Sequence, residues 1–132
     1  MALGLKAISN FDYAVLLCDD MAAMKAFYRD VMGFQIEHDQ EKWVSFRVGT
    51  TLFTLRPRGK GPAWDDGPAI PGSASVQLAF RVPPSNLDDC HTELLDNDVD
   101  IVMEPTDLPA WRHRAIFFRD PGGNIVEIYA EY

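Results

Sequence analysis

The chain has 132 residues, 47% of them apolar, and a formal net charge of −8. That length and apolar content support one domain with its own core, and the negative charge argues against nucleic acid or an anionic membrane surface as partner. No leader-like segment opens the chain and no apolar run is long enough to span a bilayer, so a cytoplasmic protein is expected.

Phe11–Cys18 is rich in strand formers, which predicts the first strand. Asp19 or Asp20 then caps a helix whose apolar residues Met24, Phe27, Tyr28 and Val31 follow the helical period, and Gly33 stops it in a left-handed conformation. Three strand-like runs follow: Phe34–His38, Trp43–Val48 and Thr51–Arg56, the last two joined at Gly49-Thr50. In Trp43–Val48, a period of two puts Val44, Phe46 and Val48 on one face and Trp43, Ser45 and Arg47 on the other. Pro57–Ala74 holds four prolines and four glycines and reads as a linker or long loop. Its Trp64 fits a lid closing on ligand and an anchor for the loop equally well.

After the linker the pattern restarts. Ser75–Val82 is a strand with Gln77, Ala79 and Arg81 on one face and Val76, Leu78, Phe80 and Val82 on the other. Ser85 is the expected N-cap of a second helix, with Leu87, Cys90, His91, Leu94 and Leu95 as its buried stripe and Asn97 or Asp98 at its end. Cys18 and Cys90 are expected as free thiols, since their spacing suits no metal site. Val99–Met103, Arg112–Phe118 and Asn124–Ala130 complete three more strands. Asp120-Pro121-Gly122-Gly123-Asn124 is the tight reversal between the last two. Alternation along Arg112–Phe118 separates His113 from Arg112 and Arg114, and leaves open which set faces inward.

The order is therefore strand–helix–three strands, twice, a duplicated βαβββ unit. One domain over 1–132 is expected, with module 1 at about 11–56, a linker at 57–74 and module 2 at about 75–130. The class is α+β, and two such units are expected to form a curved mixed sheet with a concave cleft and helices outside. Thr54 and Glu127 each stand five residues beyond a turn glycine, so they are equivalent, as are Tyr13 and Gln77. These four residues are expected to converge on the concave face.

Glu127 lies mid-strand between Val126 and Ile128, where a carboxylate is costly unless paired or functional, and it is the candidate catalytic residue. Arg56, Arg81, Arg112 and Arg114 are its possible partners. Candidate ligand contacts are Tyr13, Trp43, Arg47, Thr54, Gln77, Trp111, Arg114 and Tyr129, combining aromatic rings that stack on planar or cationic groups with arginines that hold anions. The acidic chain suits a cationic ligand, whereas the arginines suit a carboxylate or phosphate; the local arginines carry more weight. His38 reads as solvated and His91 as packing.

Asp20, Phe27-Tyr28, Met32-Gly33-Phe34, Pro105, Trp111, Arg114 and above all Asp120-Pro121-Gly122-Gly123-Asn124-Ile125-Val126-Glu127 resemble the vicinal oxygen chelate superfamily, the glyoxalase, bleomycin-resistance and extradiol-dioxygenase fold. The resemblance runs from about Phe11 to Tyr129. It implies four equivalent positions that carry His or Gln, Glu, His or Gln, and Glu around a divalent ion. Here those positions hold Tyr13, Thr54, Gln77 and Glu127, of which Gln77 and Glu127 alone fit. No metal cofactor is expected, and Gln77 and Glu127 would be its ligands if one bound. A ring-cleaving dioxygenase, which needs two histidines and a carboxylate for iron, is not expected.

The resemblance implies either a bleomycin-resistance-like protein that binds a small organic molecule or a lyase or isomerase of the lactoylglutathione lyase type. In the second case Glu127 is the general base or a metal ligand. It also implies a homodimer in which each cleft is completed by the partner.

Overall fold

Apolar residues at a period of two become strands and those at helical spacing become helices, in the order that the repeat predicts. The computed structural model describes residues 4–132, so the first three positions of the expected 1–132 domain lie outside the described residues. The first module comprises β1 (Tyr13–Cys18), α1 (Met21–Ala26), β2 (Gln35–Gln40), β3 (Trp43–Val48) and β4 (Thr51–Pro57). The second comprises β5 (Gln77–Arg81), α2 (Leu87–Asp96), β6 (Asp100–Leu108), β7 (His113–Arg119) and β8 (Ile125–Glu131). Each forms a four-stranded mixed sheet, ordered β1-β4-β3-β2 and β5-β8-β7-β6, so the fold is α+β with two equivalent modules. The parallel ladders repeat the internal equivalence: Val15 lies opposite Thr54 as Ala79 lies opposite Glu127.

Asp20 caps α1, its Oδ1 accepting from the Ala23 amide at 3.0 Å. Beyond Ala26 the helix widens into a π turn over Phe27–Val31, closed by the Met32 amide donating to the Phe27 carbonyl at 3.0 Å. The widened turn lets two consecutive aromatics, Phe27 and Tyr28, both enter the core. Gly33 then takes the left-handed conformation, at φ +71°.

One core serves both modules. Leu16, Phe46, Phe53 and Leu55 of the first sheet join Ile116, Phe118, Val126 and Ile128 of the second in a single cluster. Phe53 and Phe80 have ring centroids 6.4 Å apart, and Phe27 and Phe118 are 6.3 Å apart. The Tyr28 hydroxyl donates to Asp120 at 2.6 Å across the module boundary. Asp120 also accepts from the Gly122 and Asn124 amides at 2.9 and 3.0 Å, which sets the last hairpin turn. Burial, with Asp120 nearby, pushes the Tyr28 hydroxyl far above its ordinary range and the Cys18 thiol up to about 12.

Several boundaries differ from expectation. Ser85 is no N-cap: it lies inside a 3-10 turn, Pro84–Asn86, that precedes α2. Strand β6 runs through Pro105 to Leu108, because an edge strand whose register shifts between Met103 and Thr106 tolerates a residue without an amide donor. Leu95 is 51% exposed and leaves the helix stripe, while His91 pairs with Glu104.

The 57–74 segment is better ordered than its composition suggests. Both terminal nitrogens of Arg56 donate to Asp66 at 2.8 Å, and Asp66 also accepts from the Gly59 amide at 2.9 Å and Trp64 Nε1 at 3.1 Å. Arg56, followed by the other donors, holds the Asp66 carboxyl well below the usual carboxylate range. Trp64 thus anchors the loop through Asp66. No helix of the described residues is long and apolar enough to cross a membrane.

Candidate functional site

Alternation along β8 sends Val126 and Ile128 into the core, which leaves Glu127 and Tyr129 on the face that no helix covers. Glu127 lies between Ala79 of β5 and Phe117 of β7 in the ladder. It is 9% exposed, and its carboxylate makes no side-chain hydrogen bond among the described residues. A cavity of about 440 Å³ opens over it, within the size range of small-molecule sites. Gln77 and Ala79 of β5 with Tyr129 of β8 line one part, and Leu108, Trp111, His113 and Phe117 line the rest.

His113 is the functional candidate that sequence reasoning left open. Strand β7 begins with this residue facing the cavity, directly after the turn that holds Arg112 at φ +55°. Its ring stacks on Tyr129, with centroids 4.1 Å apart and planes 16° from parallel. Nδ1 lies 3.9 Å from Glu127 Oε2, and Nε2 lies 3.9 Å from Glu131 Oε1. The small Ala115, opposite Tyr129 in the ladder, leaves room for the ring. Counting outward from the Asp120–Asn124 turn would have found it, because Phe117 pairs with Glu127, Ala115 with Tyr129 and His113 with Glu131.

The same alternation carries Arg114 to the opposite side of β7, where Nη1 donates to Asp107 at 3.0 Å. The expectation that Arg114 lines the cleft is corrected. Three further arginines are held by acids of their own, Arg47 by Glu37 at 2.8 Å, Arg56 by Asp66 and Arg81 by Glu131 at 3.0 Å, and Arg112 pairs with no acid, Glu127 included, among the described residues. An arginine-lined cleft, and an arginine partner for Glu127, are therefore corrected too.

Tyr13, Trp43 and Thr54 lie on the uncovered face of the first sheet. Tyr13 meets Trp43 edge-on at 6.2 Å, and Thr54 shares a 2.8 Å hydrogen bond with Ser45, both of them buried. None of these residues, nor Arg47, lines the Glu127 cavity. The helix-covered sides of the two sheets share the core, so their uncovered faces are separate surfaces within one chain. The expected convergence of Tyr13 and Thr54 on Gln77 and Glu127 is corrected. A further cavity of about 470 Å³ lies beside Phe34, Phe80, Cys90 and Leu94, and its charged lining residues are Glu93 and Arg81, the latter paired with Glu131.

Comparison with known proteins agrees with this architecture. A family model described as Glyoxalase/Bleomycin resistance protein/Dioxygenase superfamily matches residues 10–128, and the chain belongs to that superfamily. YraH of Bacillus subtilis is 25% identical over 118 residues, spanning 86% of this chain and 92% of that protein. A glyoxalase/bleomycin resistance protein/dioxygenase from Nocardioides superposes with a TM-score of 0.81 at 19% identity, covering 95% of this chain and 85% of its own. Lactoylglutathione lyase from Agrobacterium tumefaciens gives a TM-score of 0.74 at 22% identity, covering 94% and 95%. At these identities the two structures show the shared fold.

Members of this superfamily often hold a divalent metal, and the residues here do not fit one well. Gln77, His113 and Glu127 offer one amide, one imidazole and one carboxylate in the cavity, while Tyr13 and Thr54 stand on the other sheet. Among the described residues, no group of three or more His, Cys, Asp or Glu side chains is placed to hold a metal ion. With a single histidine, that donor set falls short of the two histidines and one carboxylate used for iron.

Proposed function

We propose that this chain binds a small organic molecule in the cavity around Glu127, without a catalytic metal. The observation that carries this reading is a largely buried carboxylate with no arginine partner, set among Trp111, Phe117 and Tyr129. Such a group is costly to bury unless a ligand completes it. The ligand contacts within this reading are Gln77, Trp111, His113 and Tyr129.

The reading includes a homodimer. A second copy would set the Tyr13, Trp43 and Thr54 face of one protomer against the Glu127 cavity of its partner, which a single chain leaves apart. It also places the protein in a reducing cytoplasm, in keeping with two unpaired cysteines. Screening a library of small molecules by thermal shift tests the proposal. Stabilising compounds are expected, and Glu127→Gln should weaken them roughly tenfold or more, as expected when a charge-assisted hydrogen bond is lost. Hits that bind the variant equally well would place the site elsewhere.

A second reading is favoured by the same free carboxylate. A lyase or isomerase of the lactoylglutathione lyase type would use Glu127 as general base, removing a proton next to a carbonyl. Formation of lactoylglutathione by the wild-type chain, abolished in Glu127→Gln, would favour this reading over simple binding.

A further inference from the structure

We infer that Glu127 and His113 form a slot for one nitrogen of a cationic ligand, a primary ammonium carried on a flat ring. The inference rests on the proposal that the Glu127 cavity is the ligand site. It starts from a distance. At 3.9 Å, His113 Nδ1 and Glu127 Oε2 are too far apart to hydrogen-bond each other. One donor atom placed between them reaches both at about 2.8 Å.

Charge selects that donor. Glu131 has Arg81 as its counter-ion, at 3.0 Å, whereas no arginine or lysine pairs with Glu127 among the described residues. The group that fills the gap must therefore donate to a carboxylate, which accepts but cannot donate, and donate again to an imidazole nitrogen. An ammonium satisfies both conditions: one N–H goes to Glu127 Oε2 and a second to the lone pair of His113 Nδ1. The remaining ring proton of His113 then sits on Nε2, the nitrogen that faces Glu131. Stacking on Tyr129 fixes the plane of the imidazole, so Nδ1 is aimed before any ligand arrives. Trp111, 68% exposed, offers an aromatic surface at the cavity for the ring that bears the amine.

The test compares benzylamine, benzyl alcohol and toluene by NMR titration of the full-length protein, following the Trp111 indole N–H and the amides of β7 and β8. Benzylamine is expected to bind about tenfold or more tightly than toluene, with benzyl alcohol between them. His113→Phe keeps a ring to stack on Tyr129 and removes the acceptor, so it should cut the preference for benzylamine over toluene several-fold. His113→Gln serves the same purpose if the first variant does not fold. Equal affinity of the wild type for benzylamine and toluene, or an undiminished preference for benzylamine in the folded variants, would overturn the slot while leaving the cavity as a binding site. Absence of cavity shifts with all three probes would overturn the slot and the proposed site together.

Discussion

Tyr28 is the residue on which the two halves of the chain most visibly depend. Its ring lies in the common core and its hydroxyl donates to Asp120, which in turn orders the turn ahead of Glu127. Tyr28→Phe would remove that donor from a carboxylate 4% exposed to solvent. A loss of about 2 kcal/mol is expected, typical of a hydrogen bond to a charged group, read from urea unfolding curves of the two proteins. Glu127 is a different kind of buried acid. Asp120 is surrounded by donors and belongs to the scaffold, whereas Glu127 has none and is open to a ligand.

At the scale of elements, the linker shows how a segment without regular structure is held. Asp66→Asn should reduce hydrogen-exchange protection of the Gly59, Gly61 and Asp66 amides roughly tenfold at neutral pH, leaving the strands unaffected. Because Arg56 lowers the folded-state value of Asp66, its contribution is present above the ordinary carboxylate range and is lost as pH falls below it. The wild-type linker should therefore lose protection on acidification before the variant changes further. Composition could not reveal this order, since the ion pair joins a strand end to a loop residue ten positions on.

The strands, the repeat and the last hairpin were legible in the sequence because alternation and turn chemistry are local. The pairing of charges was not, which is why Arg114 and Arg47 read as ligand contacts and His113 was left undecided. Facing direction in β7 depends on the register of a hairpin, and the separation of Tyr13 and Thr54 from Glu127 depends on how two sheets share one core.

For the whole molecule, that separation has a measurable outcome. Phe11, two residues before β1, is 73% exposed and Tyr13, at its start, 46%, so large apolar side chains stand open to a partner here. If a partner covers it as proposed, light scattering should give twice the mass of one chain, and Phe11→Asp should shift the protein toward the single-chain mass. A wild-type protein at the single-chain mass would remove the dimer from the proposed function.

The π turn at Phe27–Val31 bears on the whole molecule as well. Relative to an α-helix it holds one residue too many, and each helical residue turns the chain by about 100°. Deleting one residue there would let the turn relax to a regular helix and swing Tyr28 or Phe27 out of the core, with Asp120 losing its hydroxyl donor. The surplus residue thus acts as a spacer that matches the first half of a duplicated chain to the second, and an insertion or deletion at this point would be felt as far away as the turn before Glu127.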